Sequence, residues 1–191
     1  MHFGEVTVLP IILILLGIVG IIVLWFIATM NSMRLLEIKV HEAESGIDVA
    51  LTKRFDLLTK TLATAKGYAK HEAETLENVI KWRNGIPENA SIEDKQEFTS
   101  ELNKLASGID VVVEQYPILK ADTVFKELQV AISNTEDHLQ AARRLYNANV
   151  TRLNHMIVAF PQSIVANAIH FEQHPFFEAE PQKRQDVDIN F

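Results

Sequence analysis

The run Val6-Thr7-Val8-Leu9-Pro10-Ile11-Ile12-Leu13-Ile14-Leu15-Leu16-Gly17-Ile18-Val19-Gly20-Ile21-Ile22-Val23-Leu24-Trp25-Phe26-Ile27-Ala28-Thr29-Met30 carries no charged residue. A helix needs roughly 20 apolar residues to cross a hydrocarbon core of about 30 Å at 1.5 Å per residue, and this run is longer. A cleaved signal peptide would show a shorter apolar core behind a basic leader and end in small residues. Met1 to Glu5 holds no Lys or Arg, and Thr29-Met30-Asn31-Ser32-Met33 is a poor cleavage site. The reading is an uncleaved membrane anchor. Trp25 suits an interfacial position, and Pro10 falls in the first turns, where a missing amide hydrogen does least harm. Gly17 and Gly20 are three apart and do not make a GxxxG dimerisation face.

Orientation is set by the basic residues, which are absent before the span and include Arg34, Lys39, Lys53 and Arg54 after it. The positive-inside rule then makes residues 1–5 a short extracytoplasmic N-terminus, 6–30 the transmembrane helix and the remainder cytoplasmic. Of the 191 residues, the part beyond the anchor is about one domain's worth of chain. Setting aside Glu5, that part has 18 basic against 24 acidic residues, a net of −6 that argues against a nucleic-acid partner. With no cysteine, disulfides, thiolate zinc sites and thiol catalysis are excluded.

Beyond the anchor the apolar period is helical throughout, and no run alternates as a strand would. Between Asn31 and Asn84 there is no proline, and Val40, Ala43, Ile47, Leu51, Phe55, Leu58, Leu62, Ala65, Ala69, Leu76 and Val79 recur at steps of three and four, Glu72 completing the series. This predicts a first long helix over 31–84, about 80 Å long, closed by Asn84-Gly85-Ile86-Pro87. Gly46 and Gly67 interrupt it at about 1 kcal/mol each relative to alanine, which points to close approach of a neighbouring helix. Ser91 and Asp94 resemble a capping box for a second helix over 92–116 with Phe98, Leu102, Leu105, Ile109 and Val112 on one face, stopped by Pro117. Asp122 caps a third over 123–160, striped by Phe125, Leu128, Ile132, Leu139, Ala142, Tyr146, Val150, Leu153, Ile157 and Phe160. After Pro161, Ser163 can cap a short helix over 163–170. The expected fold is all-α: a transmembrane helix followed by an elongated bundle, residues 31–177, of three long helices with a short C-terminal helix. Residues 178–191 read as a mobile polar tail.

Spaced blocks in the bundle carry a resemblance. Arg54-Phe55-Asp56-Leu57-Leu58, Gly67-Tyr68-Ala69-Lys70-His71-Glu72, Tyr116-Pro117 with Leu119-Lys120-Ala121, Phe125 with Leu128-Gln129, Thr135-Glu136, Arg143-Arg144 with Tyr146-Asn147, and Phe160-Pro161 through Phe176-Phe177-Glu178 resemble the LemA family over roughly residues 31–178. Two departures stand out: Thr59-Lys60 replaces the family's usual Pro-Asn, and Leu153 stands where a tyrosine commonly precedes Asn154. The resemblance implies an N-out anchor in the bacterial cytoplasmic membrane, long bundled helices and no established catalytic activity. It also brings in associations with magnetosome membrane formation and with membrane metalloproteases of the HtpX kind.

The residues themselves point away from catalysis. His170-Phe171-Glu172-Gln173-His174 sets two imidazoles four apart, but this is not HExxH and a third ligand is not evident, so no metal or cofactor is expected. His41, His71, His138 and His155 lie apart, without a nucleophile at fixed spacing. Arg54, Glu72, Arg143, Arg144, Tyr146, Asn147 and Asn154 interrupt or adjoin apolar stripes. They read as a polar layer that fixes the register of the bundle or of protomers, Asn147 and Asn154 being one heptad apart on one face. Phe171, Phe176 and Phe177, three phenylalanines in seven residues, are unsuited to water and form a candidate assembly contact, with docking on the chain's own bundle as the competing reading. The function expected is that of a non-enzymatic, homo-oligomeric scaffold that organises or shapes the membrane, with the lipid bilayer as its first partner. The other reading is an adaptor or regulator of a membrane protease of the HtpX kind.

Overall fold

A computed structural model describes residues 5–66, 87 and 90–178. Among these the chain is all-helical: α1 Glu5–Lys66, α2 Ile92–Gln115, α3 Pro117–Ala121, α4 Thr123–Val158 and α5 Gln162–Ala168. The close of the first long helix at Asn84-Gly85-Ile86, the blocks around Gly67, His71 and Glu72, and the polar tail beyond Glu178 lie outside the described residues.

No helix boundary falls between the apolar run and the sequence after it, because α1 passes through both. Its most apolar 18-residue window has a mean hydropathy of 3.2, and none of that window is buried by the rest of the chain. By length and composition the segment is long and apolar enough to cross a membrane. Glycine was expected at Gly46 to admit a neighbouring helix, but a Cβ built there meets nothing within 4 Å. The residue lies on the outer face of α1, and close packing within the chain is not its explanation.

The chain divides into two compact units, Met1–Val40 with Asn149–His174, and His41–Ala148 with Pro175–Phe191. In the first, Met33, Val40, Val150, Leu153, Ile157, Val165 and Ala166 form the core. In the second, the buried line of α1 runs Ala43, Ile47, Ala50/Leu51, Arg54, Leu58, Thr61 and Ala65. Steps of three and four residues are kept, yet Arg54 and Thr61 occupy turns that the apolar pattern assigned to Phe55 and Leu62, which are only half-buried. Phe55 instead packs sideways on Phe98 of α2, with ring centroids 5.9 Å apart.

Local chemistry sets the helix ends. Ser91 Oγ accepts from the Asp94 amide at 3.1 Å while the Asp94 carboxylate accepts from the Ser91 amide at 3.0 Å, a complete capping box. Pro117 starts a further short helix, α3, where a plain connection was expected; its missing amide hydrogen costs nothing at a helix N-terminus. Asp122 Oδ1 accepts from the Phe125 amide at 3.0 Å at the start of α4. α4 ends at Val158, so Phe160 lies beyond the helix whose stripe it was thought to continue, and it is exposed.

Ser163 does not cap α5: Pro161 holds the cap position and Ser163 lies inside the helix. Its other end closes through the His170 amide bonded to the Asn167 carbonyl and the Phe171 amide bonded to the Ala166 carbonyl. That pair of bonds requires the intervening residue to be left-handed, and His170 is, with φ 56°. The chain then leaves helical conformation, and Phe171 to Glu178 form an irregular segment.

Candidate functional site

Each unit holds a contact between α4 and this segment. In the first unit, the Asn154 side chain makes two bonds to one residue: Oδ1 accepts from the His174 amide and Nδ2 donates to the His174 carbonyl, both at 2.9 Å. In the second unit, Asn147 repeats the device on Phe177, accepting from its amide at 2.8 Å and donating to its carbonyl at 2.9 Å. Each carboxamide thus replaces a β-ladder partner for a chain that has none.

Tyr146 is buried beside Asn147, and its hydroxyl donates to the Pro175 carbonyl at 2.9 Å. Burial, reinforced by the negative charges of Glu44 and Glu93, pushes its pKa up to about 12. The phenol therefore stays protonated and remains a donor at any physiological pH. Phe177 is 5% exposed and lies under Arg143, whose guanidinium carbon is 4.7 Å from the ring centroid, within reach of a cation–π attraction. Phe171 is half-buried, while Phe176 is 44% exposed and uses its carbonyl to accept from Gln96 Nε2 at 3.4 Å.

The polar residues singled out in the sequence do not form one layer. Arg143, Tyr146 and Asn147 converge on the segment Pro175–Phe177. Arg54, buried in α1, pairs with Glu136 of α4 at 3.0 Å, which is a true interhelical polar contact. Arg144 is exposed, and Glu72 lies outside the described residues. Asn147 and Asn154, expected to set register, hydrogen-bond to backbone of the C-terminal segment.

Two polar contacts escaped the sequence reading. Lys95, 2% exposed, reaches Glu44 at 2.7 Å and Asp48 at 2.9 Å. Burial lowers its pKa, but the hydrogen bonds and charges of the two carboxylates outweigh that and leave it above the ordinary lysine value. The signal was present: Lys95 sits three residues after Ile92 and three before Phe98, inside the apolar stripe of α2. Asn149 is buried and donates from Nδ2 to the Lys39 carbonyl at 2.9 Å, fastening α4 to α1 in the first unit. It gave no signal beyond being polar next to Val150.

For chemistry the arrangement offers little. The two imidazoles of His170 and His174 are not on a helical turn, since the segment that carries them is irregular. Among the described residues no three His, Cys, Asp or Glu side chains group as metal ligands would. A groove of about 200 Å³ lined by Leu58, Thr61, Ile109, Asp110, Gln129 and Ser133, among others, brings one carboxylate to its wall, with no second acid or imidazole among its lining residues. What the site does is hold a C-terminal segment in place through backbone recognition.

Comparison with known proteins accords with the residue blocks. Protein LemA of Metamycoplasma hominis is 27% identical over 174 residues, which is 90% of this chain and 79% of that protein. The LemA family model matches residues 43–191, which take in the candidate site and well over half of the chain, and the chain accordingly belongs to the LemA family.

Proposed function

We propose that this protein is a non-enzymatic scaffold of the bacterial cytoplasmic membrane, anchored N-out by α1 and assembled from several copies of itself. The observation that carries the reading is the continuity of α1, in which the apolar run and the helical sequence after it are one helix, Glu5–Lys66. An anchor that is also a bundle helix transmits the orientation of the bundle to the bilayer. That is what an element organising or shaping a membrane needs, and a tethered enzyme on a linker does not need it. The apolar helix faces and the exposed Phe176 are the surfaces available for packing protomers side by side.

Two measurements test it. The full chain in detergent, run on a sizing column with light scattering, is expected as a large, defined homo-oligomer; a monomer retained only together with a membrane protease of the HtpX kind supports the adaptor reading instead. Because the chain has no cysteine, Phe3→Cys is expected to react with an impermeant thiol reagent on intact cells and Glu88→Cys is not. Labelling at position 88 alone overturns the orientation.

A further inference from the structure

Within the unit Met1–Val40 with Asn149–His174, α1 is exposed over residues 9–24. Cover begins at Trp25 and Phe26, which are half-buried, and Thr29 and Met33 are buried. In this unit the described chain other than α1 is the run 149–174. Asn149 bonds to the Lys39 carbonyl, and Val150, Leu153 and Ile157 are buried in turn. The unit contains no α1 residue beyond Val40, so α4 runs back along α1, antiparallel to it. Nine residues of helix advance about 13.5 Å, which brings Val158 level with Met30, the last residue of the uncharged run.

The turn after Val158 is thus set at the end of the apolar segment, and it is apolar on its outer side. Phe160 is 81% exposed and Ile164 55%, whereas Val165 and Ala166 on the opposite side of α5 are fully buried. From Met156 to Ile169 the chain has no charged residue, so nothing in it resists approach to a bilayer. Glu5 lies at the far end of α1, and on the Met30 side of the apolar run Arg34, Lys39 and Arg152 of this unit outnumber Glu37 and Glu172, which suits anionic headgroups.

We propose that this turn is a second membrane contact, with Phe160 and Ile164 inserted at the headgroup–acyl boundary of the bilayer that α1 crosses. The occupant is lipid because the exposed patch is continuous with the level at which α1 leaves the hydrocarbon, where apolar side chains such as Phe bury into the headgroup–acyl boundary. A second point of contact fixes the tilt and rotation of the helix pair, which a single span leaves free. This inference rests on α1 spanning the bilayer.

The test uses the full chain in phosphatidylcholine–phosphatidylglycerol vesicles containing lipids brominated along the acyl chain, which quench nearby indoles. The chain has two tryptophans, Trp25 and Trp82; both are changed to Phe, and Phe160→Trp, Ile164→Trp or Ile38→Trp is added singly, while a variant keeping Trp25 alone reports on α1. Trp25 and the indoles at 160 and 164 are expected to lose at least half their emission, the last two most with bromine near the headgroup. The indole at 38, about 12 Å past Met30 along α1, is expected to be unaffected. Emission at 160 and 164 unchanged while Trp25 is quenched overturns the proposal and leaves a water-exposed turn or cover by a second copy. Unquenched Trp25 overturns the spanning reading itself. Phe160, Ile164 and Ile38 are exposed, and unchanged helical circular dichroism confirms that each variant is folded.

Discussion

Single side chains in this protein act mostly on backbone. Asn147 and Asn154 each satisfy an amide hydrogen and a carbonyl of the C-terminal segment, so leucine at either position strands two polar groups. Leaving buried groups unsatisfied costs about 1–3 kcal/mol; Asn147→Leu and Asn154→Leu are each expected to lower stability by that order in chemical denaturation, with assembly state unchanged. Stability kept or raised, with broadened assembly, would return these amides to a role in register. Lys95 is expected to behave as the centre of a charge cluster. Lys95→Met removes hydrogen bonds to two carboxylates, worth about 1.5–3 kcal/mol to a charged group, and sets Glu44 against Asp48. The same residue gives a pH signature. Its folded pKa is raised, so its contribution is complete below the unfolded value near 10.5 and is lost as pH rises through the folded value. Tyr146 acts in the same direction, because only the unfolded chain ionises between pH 10 and about 12. Denaturation midpoints of the wild type should therefore fall above pH 10, and Lys95→Met should show a shallower fall. Identical slopes would remove Lys95 from the account.

At the scale of elements, α1 carries both the apolar run and the buried line that begins at Ala43, and its exposed face is open at Gly46. Glycine in a helix interior costs up to about 1 kcal/mol relative to alanine. Gly46→Ala is expected to raise the denaturation midpoint by that order, because the new methyl group meets no neighbour. If the same change disrupts the oligomer while stabilising the folded chain, the Gly46 face is where protomers pack. Existence and type of the long helices were legible from the three-and-four period, and the starts of α2 and α4 from Ser91, Asp94 and Asp122, because capping is local chemistry. The period was less reliable about which residue fills each turn. Arg54 and Thr61 are buried in place of Phe55 and Leu62, since either neighbour fits a helical stripe and only the partner helices select one. Phe160 continued the α4 stripe in sequence but falls past the end of the helix, where the stripe no longer has a face.

Over the whole molecule, Phe176 and Phe177 separate by role. Phe177 is buried within its own chain against Arg143, so Phe177→Ala is expected to lower stability by about 3 kcal/mol, near the low end for a buried phenylalanine, at every protein concentration. Phe176 is exposed and remains the candidate assembly contact; Phe176→Ser is expected to leave melting nearly unchanged and to reduce the mass of the assembly. An unaltered mass removes this residue from the interface and leaves the helix faces. Sequence by itself determined the long apolar helix and the all-helical class, because hydrophobic length and period are properties of consecutive residues, and it showed the family through blocks of specific side chains. It showed that Tyr146, Asn147 and Asn154 were unusual but not what they touch. Their partners are backbone groups 20 to 30 residues away, and any residue's backbone offers the same amide and carbonyl. Only the tertiary structure decided that these side chains hold the C-terminal segment, since a contact to main chain leaves no mark on the identity of its partner.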